Sequence, residues 1–370
     1  MIILSISSAL SGILMFVFKL LLLILVLGVI ILVHEFGHFV WAKKFGVHIY
    51  EFSIGMGPLL FSHKGKKDNI DYNIRAIPIG GYVSMAGEVY DDAEEEIPKE
   101  KLMCNKPWYQ RLIVLVAGVV NNFILAIVLL SIYAFIWQGG AITPKIAEVV
   151  ENTPAAKSNL QAGNVITKIN GYKVNNWDRS QIILYYKTKS KVYTFEVKHK
   201  DGKTETIKIT PEKVKDEETG TTRKVFGIAI ANEDTSNVFK AIGYGFRKFG
   251  SVLSSMTATI GGLITKKISL NELSGPVGIY QVVGESVKLK LGMAISYIVY
   301  ITAFLSINVG FINILPFPAF DGGHVFFILV EKIKGSPVNS KFENTCHLIG
   351  FALILLLMII VTINDIIKLF

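Results

Sequence analysis

Long apolar runs and short polar stretches alternate along this chain, and four of the runs are long enough to cross a bilayer as helices, which takes about 20 largely apolar residues. The first extends from about Ile13 to Phe39 and is interrupted by Lys19, and the second extends from about Leu112 to Trp137. The third runs from Leu291 to about Leu315, and the fourth from Leu348 to Ile363. Between the first two, Phe52–Pro58 and Tyr72–Val83 alternate apolar and small residues with turn formers, a pattern of short strands and tight turns that predicts a hairpin. Between the second and third, residues 141–232 change to the pattern of a soluble domain. Lys145–Val150, Val165–Ile169, Tyr193–Val197 and Thr204–Ile209 read as strands, with Asn170-Gly171 and Asp201-Gly202 as turns. Pro154–Leu160, ahead of Gly163, reads as a short helix.

Beyond the soluble stretch, Phe239, Ile242, Phe246, Phe249, Leu253, Met256, Ile260 and Leu263 recur at spacings of three and four, which is one face of a helix. Lys240, Arg247 and Lys248 accompany that face, as on an amphipathic helix lying at a membrane surface; packing against the other spans is the competing reading. The chain therefore divides into residues 1–140 (two spans and the hairpin), 141–232 (the soluble insert), 233–290 (amphipathic helix and linker) and 291–370 (the last two spans). The fold class that follows is a polytopic α-helical membrane protein with about four transmembrane helices and an inserted α+β domain.

Composition agrees with that division. The 370 residues are 51% hydrophobic and only 18% charged, whereas a soluble domain carries about 25% charged residues. The net charge of +9 reads as topology and lipid-facing charge, because no dense basic stripe interleaved with aromatics marks a nucleic-acid partner. Cys104 and Cys346 are the only cysteines, too few for a disulfide framework or a cysteine-based zinc site. The N-terminus lacks the basic start and cleavage site of a signal peptide. Asp91–Glu96 is an acidic run that reads as a solvated loop. Lys43 and Lys44 after the first span, Lys106 and Arg111 before the second, and Lys332, Lys334 and Lys341 between the third and fourth place those loops in the cytoplasm, with the insert outside.

Chemistry enters at the end of the first span. His34-Glu35-Phe36-Gly37-His38 is an H-E-x-x-H run. On a helix the two histidines share a face and can present two imidazoles to one metal, with Glu35 beside a metal-bound water. At 1.5 Å per residue His34 lies roughly 22 Å along the helix from Lys19, and Lys43 roughly 8 Å beyond His38. If the lysines mark opposite interfaces, the histidines are inside the bilayer near its cytoplasmic face, where ionisable groups need a cavity or a partner. A buried, hydrogen-bonded histidine pair is the plainer reading. In the third span Asn313-Ile-Leu-Pro316-Phe-Pro318-Ala-Phe-Asp321-Gly-Gly-His324 breaks the helix at two prolines. Broken backbone at membrane depth must be buried in protein or line a polar cavity. Asp321 is then the natural third metal ligand, with a helix-capping role as its alternative; His324 is a candidate donor behind the ligands. Asn121 and Asn122 interrupt the second span and suit either an interhelical hydrogen bond or contact with a substrate backbone. A membrane-anchored zinc peptidase with an aqueous site, or a non-catalytic zinc transporter or scaffold, would use the same histidines differently.

These residues resemble the site-2 protease family of intramembrane zinc metalloproteases. The likeness rests on H-E-F-G-H and N-I-L-P-F-P-A-F-D-G-G-H. It extends through G-M-G-P (55–58), I-P-I-G-G-Y-V (77–83), A-G-V-V-N-N-F (117–123) and S-G-P-V-G-I (274–279), and so covers essentially the whole chain. Val119 stands where the family often has proline. Size and domain order look like the bacterial regulator-of-sigma-factor protease branch, with room for one PDZ domain, which residues 141–232 resemble. The resemblance implies one Zn2+ per chain held by His34, His38 and Asp321, with Glu35 activating water. It implies a membrane-associated β-hairpin around Ile77–Met85, including Ile79, Gly80 and Gly81, that holds substrate. Asn122, Asn313 and Pro316 fall near substrate or oxyanion by the same likeness. The implied substrates are single-span membrane proteins or signal peptides in the bacterial inner membrane, trimmed first by a site-1 type protease.

Overall fold

The structure is a computed structural model that describes residues 2–66, 68–88, 97–186, 191–215, 222–266, 268–269, 271 and 273–368. The acidic run Asp91–Glu96 lies outside the described residues. Helix α1 spans Ile2–Lys44 and ends in Lys43 and Lys44. Gly46, at φ +67°, then turns the chain into strands β1 (Ile49–Lys64) and β2 (Asp71–Met85). Helix α2 (Trp108–Trp137) follows. The insert holds β3 (Ile146–Val149), β4 (Val165–Ile169), β5 (Tyr172–Lys173), α3 (Trp177–Tyr186), β6 (Tyr193–Lys198), β7 (Thr204–Ile209), β8 (Glu212–Lys215), β9 (Thr222–Val225) and β10 (Ile228–Ile230). Helices α4 (Val238–Ile264), α5 (Pro276–Glu285), α6 (Leu291–Asn313), α7 (Asp321–Lys334) and α8 (Ser340–Ile367) complete the chain. Among the described residues four helices, α1, α2, α6 and α8, are long and apolar enough to cross a membrane, so the chain is a multi-pass membrane protein.

The expected hairpin is more elaborate. Phe52 in β1 pairs with both Val83 and Tyr72, and Ile54 with both Gly81 and Ile74, so residues 51–54 lie between two parts of β2. Residues 59–64 pair with the outer side of 71–75. The result is four antiparallel runs in the order 59–64, 71–75, 49–54, 81–85. Two long strands fold back on themselves in this way because Gly55, Gly57 and Gly80 sit at φ +84°, +79° and +78°, which other residues rarely adopt. At Gly55 a Cβ would also lie 2.6 Å from the carbonyl oxygen of Ile77. The run 81–85 is last in this order and lies beside α1; Phe39, Phe52, Val83 and Val114 belong to the core that joins it to α1 and α2.

Contacts divide the chain into Met1–Leu129 with Leu270–Phe370, and Leu130–Ser269. The separate 233–290 segment expected from sequence is thus split: α4 belongs with the insert, and α5 with the membrane helices. Within the insert β5, β4, β6 and β7 form one sheet in that order, and β10 pairs with β3. The four predicted strands and the Asp201-Gly202 hairpin are present. The helix expected over Pro154–Leu160 is instead a succession of turns, Ala156 N–H donating to Thr153 O and Ser158 N–H to Ala155 O. The Ser158 hydroxyl donates to the same Ala155 carbonyl and competes with helix continuation. Helix α4 buries Ala241, Tyr244, Lys248, Ser251 and Ser255 and leaves Phe239, Ile242 and Phe246 exposed. The apolar positions of α4 are therefore exposed in its first two turns and part-buried further along, from Phe249 to Leu263.

Candidate metal centre

The centre is assembled where α1, α2 and the break between α6 and α7 meet. In α1 the four-residue spacing brings His34 Nε2 and His38 Nε2 to 3.2 Å from each other. The other nitrogen of each ring is held by α2. His38 Nδ1 lies 2.8 Å from the Val114 carbonyl oxygen. A carbonyl only accepts, so Nδ1 of His38 carries a proton, and in the neutral imidazole Nε2 then carries the lone pair. His34 Nδ1 lies 3.2 Å from the Asn122 side-chain amide. With its oxygen toward the ring, that amide accepts the Nδ1 proton; turned the other way, Asn122 Oδ1 is buried with no partner. Both imidazoles thus present Nε2 lone pairs to the same point. Val114, Gly118 and Asn122 are spaced by four and form one strip of α2. A Cβ at Gly118 would lie 2.5 Å from His38 Nε2, so only glycine leaves room for the rings. At Gly37 a Cβ would lie 2.5 Å from the Ala117 carbonyl oxygen, which shows how closely the two helices cross.

Asp321 arrives from the opposite end of the chain. After α6, the prolines at 316 and 318 stop the helix and the chain closes back on itself before α7 begins. A Cβ at Gly322 would lie 2.2 Å from the Leu315 carbonyl oxygen, and one at Gly323 would lie 2.6 Å from that of Phe317. This tight closure sets Asp321 Oδ2 at 3.0 Å from His34 Nε2 and 3.5 Å from His38 Nε2. With both imidazoles neutral, two lone pairs and a carboxylate oxygen this close repel one another unless a cation lies between them. Zinc with bonds of 2.0–2.1 Å in tetrahedral geometry separates its ligand atoms by about 3.3 Å, so the donor set fits zinc in type and in spacing. Glu35 is half-buried in the next position of α1, with the Val83 backbone near its carboxylate.

The remaining candidates separate. Asn313 places Nδ2 at 3.4 Å from His34 Nε2, beside the ligands. Asn122 is fully buried behind His34, and Ser306 of α6 donates to its backbone carbonyl at 2.8 Å. Its side chain contacts the imidazole, so the interhelical hydrogen bond expected of it is present. Asn121 donates to the Val33 carbonyl oxygen of α1 at 3.2 Å. Pro316 is exposed, and Gly80 and Gly81 are buried beside α1 and β1. The side chain of Ile79 lies outside the described residues. His324 pairs with Glu343 of α8. Sequence reading passed over Val114, Gly118 and Ser306. Gly118 had a signal, since it stands one helical turn before Asn122; a backbone carbonyl such as that of Val114 has none.

Comparison with known proteins points to a zinc metalloprotease. The model of peptidase family M50 matches residues 22–357. A protein of Clostridium acetobutylicum classed by name among the zinc metalloproteases is 35% identical, over 95% of this chain and 98% of its own. The regulator of sigma-W protease RasP of Bacillus subtilis is 31% identical, over 96% of this chain and 100% of its own. The zinc metalloprotease RasP of Shouchella clausii is 31% identical, over 94% and 98%. With two imidazoles and a carboxylate converging beside a glutamate near the C-terminal end of α1, the chain belongs to peptidase family M50 and is a site-2 type intramembrane zinc metalloprotease.

Proposed function

We propose that His34, His38 and Asp321 hold one Zn2+ and that Glu35 is the general base for hydrolysis of a peptide bond in a substrate's transmembrane segment. The observation that carries this reading is the convergence of His34 Nε2, His38 Nε2 and Asp321 Oδ2 to within 3.5 Å. Bound zinc supplies Lewis acidity and lowers the pKa of a coordinated water toward 7. Glu35 would take a proton from the attacking water and return it to the leaving amine. Asn313, with its amide beside His34, donates to the oxyanion that forms at the scissile carbonyl.

A helical substrate hides its carbonyls, so it must be drawn out before cleavage. The run 81–85 ends the sheet order, and its Val83 backbone already reaches Glu35. An extended substrate segment adds to this edge and recovers there the hydrogen bonds lost on unwinding. Residues 141–232 act as a PDZ-like domain on the extracytoplasmic side of the bacterial inner membrane and admit substrates already shortened by a site-1 type protease. Those substrates are single-span membrane proteins such as anti-sigma factors, in line with the name of the Bacillus subtilis relative, or remnant signal peptides.

The test compares the full-length chain with Glu35→Gln and Asp321→Asn in lipid vesicles, by zinc content and by cleavage of a single-span reporter. Glu35→Gln should keep its zinc and lose at least about a hundredfold in cleavage rate, the usual loss on removing a general base. Asp321→Asn should lose zinc and cleavage together. Retained cleavage in Glu35→Gln overturns the base assignment, and full zinc content in Asp321→Asn overturns the ligand assignment.

A further inference from the structure

A second cluster lies behind the metal centre, where His324 of α7 meets Glu343 and His347 of α8. Their ligand atoms lie within 4.8 Å of one another, and the two imidazoles stack at 3.8 Å with 17° between planes. The arrangement invites a second metal, but the protons rule against it. Ala319 N–H donates to His347 Nδ1 at 3.0 Å, so a neutral His347 keeps its proton on Nε2, the nitrogen turned toward Glu343 at 4.0 Å. His324 Nδ1 donates to Glu343 Oε1 at 3.3 Å. Glu343 thus accepts from His324, and His347, its Nδ1 lone pair taken up by the Ala319 N–H, points a protonated Nε2 rather than a lone pair into the cluster.

What the cluster does hold is the segment that carries Asp321. Ala319 stands two residues ahead of Asp321, at φ +86°. That region is uncommon for any residue with a Cβ, so something outside the loop must keep the backbone there. One turn along α8, a Cβ at Gly350 would lie 2.4 Å from the Pro318 carbonyl oxygen, so α8 presses directly on the same segment. Glu343, His347 and Gly350 lie on one face of α8. They touch the chain on both sides of Asp321, at Pro318 and Ala319 before it and at His324 after it.

We infer that this face of α8 is a clamp, with His347 the positioning residue that fixes the Asp321 carboxylate for the metal through the Ala319 N–H. The inference rests on Asp321 being a zinc ligand. It makes the fourth span the element whose displacement loosens the site.

The experiment measures the rate of zinc release to a chelator from the full-length protein in lipid nanodiscs, together with the melting temperature of the metal-free protein. His347→Leu fills similar space without an acceptor and should release zinc about tenfold faster, the usual scale for losing a group that orients a ligand. His347→Asn offers Oδ1 where Nδ1 stood and should stay within about threefold of the parent, since the backbone donor keeps a partner. His347→Asn should keep the metal-free melting temperature, and His347→Leu should lower it by no more than the loss of one acceptor does, whereas a general packing defect would lower it in both. Adding Ala319→Gly to His347→Leu should recover most of the slow release, because glycine adopts φ +86° unaided. Parent-like release from His347→Leu, or equal release from the Leu and Asn variants, overturns the clamp. Asp321→Asn, run alongside, separates the failures: if it keeps zinc, the ligand assignment has failed; if it loses zinc while His347→Leu behaves as the parent, the clamp alone has failed.

Discussion

At Gly118 two energetic effects of opposite sign meet in one residue. A glycine inside a helix costs about 1 kcal/mol relative to alanine, so Gly118→Ala favours α2 as a helix. The added methyl, however, falls 2.5 Å from His38 Nε2 and 2.8 Å from His34 Cε1. Neither ring can retreat, because His38 is held by the Val114 carbonyl and His34 by Asn122. Gly118→Ala should therefore keep the helical circular-dichroism signal of the parent and lose about tenfold or more in zinc affinity; parent-like affinity in a chelator titration would refute the crowding argument. The legibility of the site follows from the same contrast. His34, Glu35, His38 and Asp321 could be read from sequence because the chemistry demands those side chains. Asn122 could not be assigned, since one amide serves an imidazole as well as a substrate and only the close crossing of α1 and α2 decides. Val114 acts through a carbonyl that every residue possesses.

Among the elements, α5 shows how a span far along the chain fixes a motif. Asp365, buried near the end of α8, accepts from Gly275 N–H at 2.7 Å and Gly278 N–H at 2.8 Å. A carboxylate there satisfies two otherwise orphaned donors and complements the positive end of the helix. Asp365→Ala leaves those donors buried and unpaired, a loss of about 2 kcal/mol, while Asp365→Asn keeps one acceptor and loses less. Thermal unfolding in detergent should rank the parent above Asn and Asn above Ala; equal melting of parent and Ala would show that water satisfies the two amides. The four spans were legible to within a few residues, apart from the N-terminal extension of α1 and the first two turns of α8, because apolar length leaves little choice in a bilayer. The doubled strands were not, because they depend on three glycines whose positive φ sequence alone does not fix. Helix α3 had a signal that went unread: Asn176 caps it, its Oδ1 accepting from Arg179 N–H at 2.8 Å.

On the scale of the whole molecule, the insert raises the question of which surface meets lipid. Within that unit Lys248 is buried and pairs with Asp178 of α3 at 2.6 Å, and the Ser251 hydroxyl donates to the same carboxylate. A buried pair of this kind is costly to break from one side, about 3–5 kcal/mol, so it fixes the rotation of α4 about its axis. With that face turned inward, Phe239 at 86% and Phe246 at 59% exposure are left without protein cover. In water such a patch is an aggregation hazard, whereas at a bilayer interface it is an anchor of a few kcal/mol. A nitroxide on Phe246→Cys, in a Cys104→Ser/Cys346→Ser background, tests which medium it meets in vesicles of the full-length protein. It should be relaxed more by oxygen, which concentrates in lipid, than by a water-soluble nickel complex. A label at Lys203→Cys, on the turn between β6 and β7, should show the opposite preference. If both labels prefer nickel, α4 lies in water and its apolar face must be covered by another protein surface; if position 246 alone prefers oxygen, the rotation set by Lys248 and Asp178 is what presents α4 to the membrane.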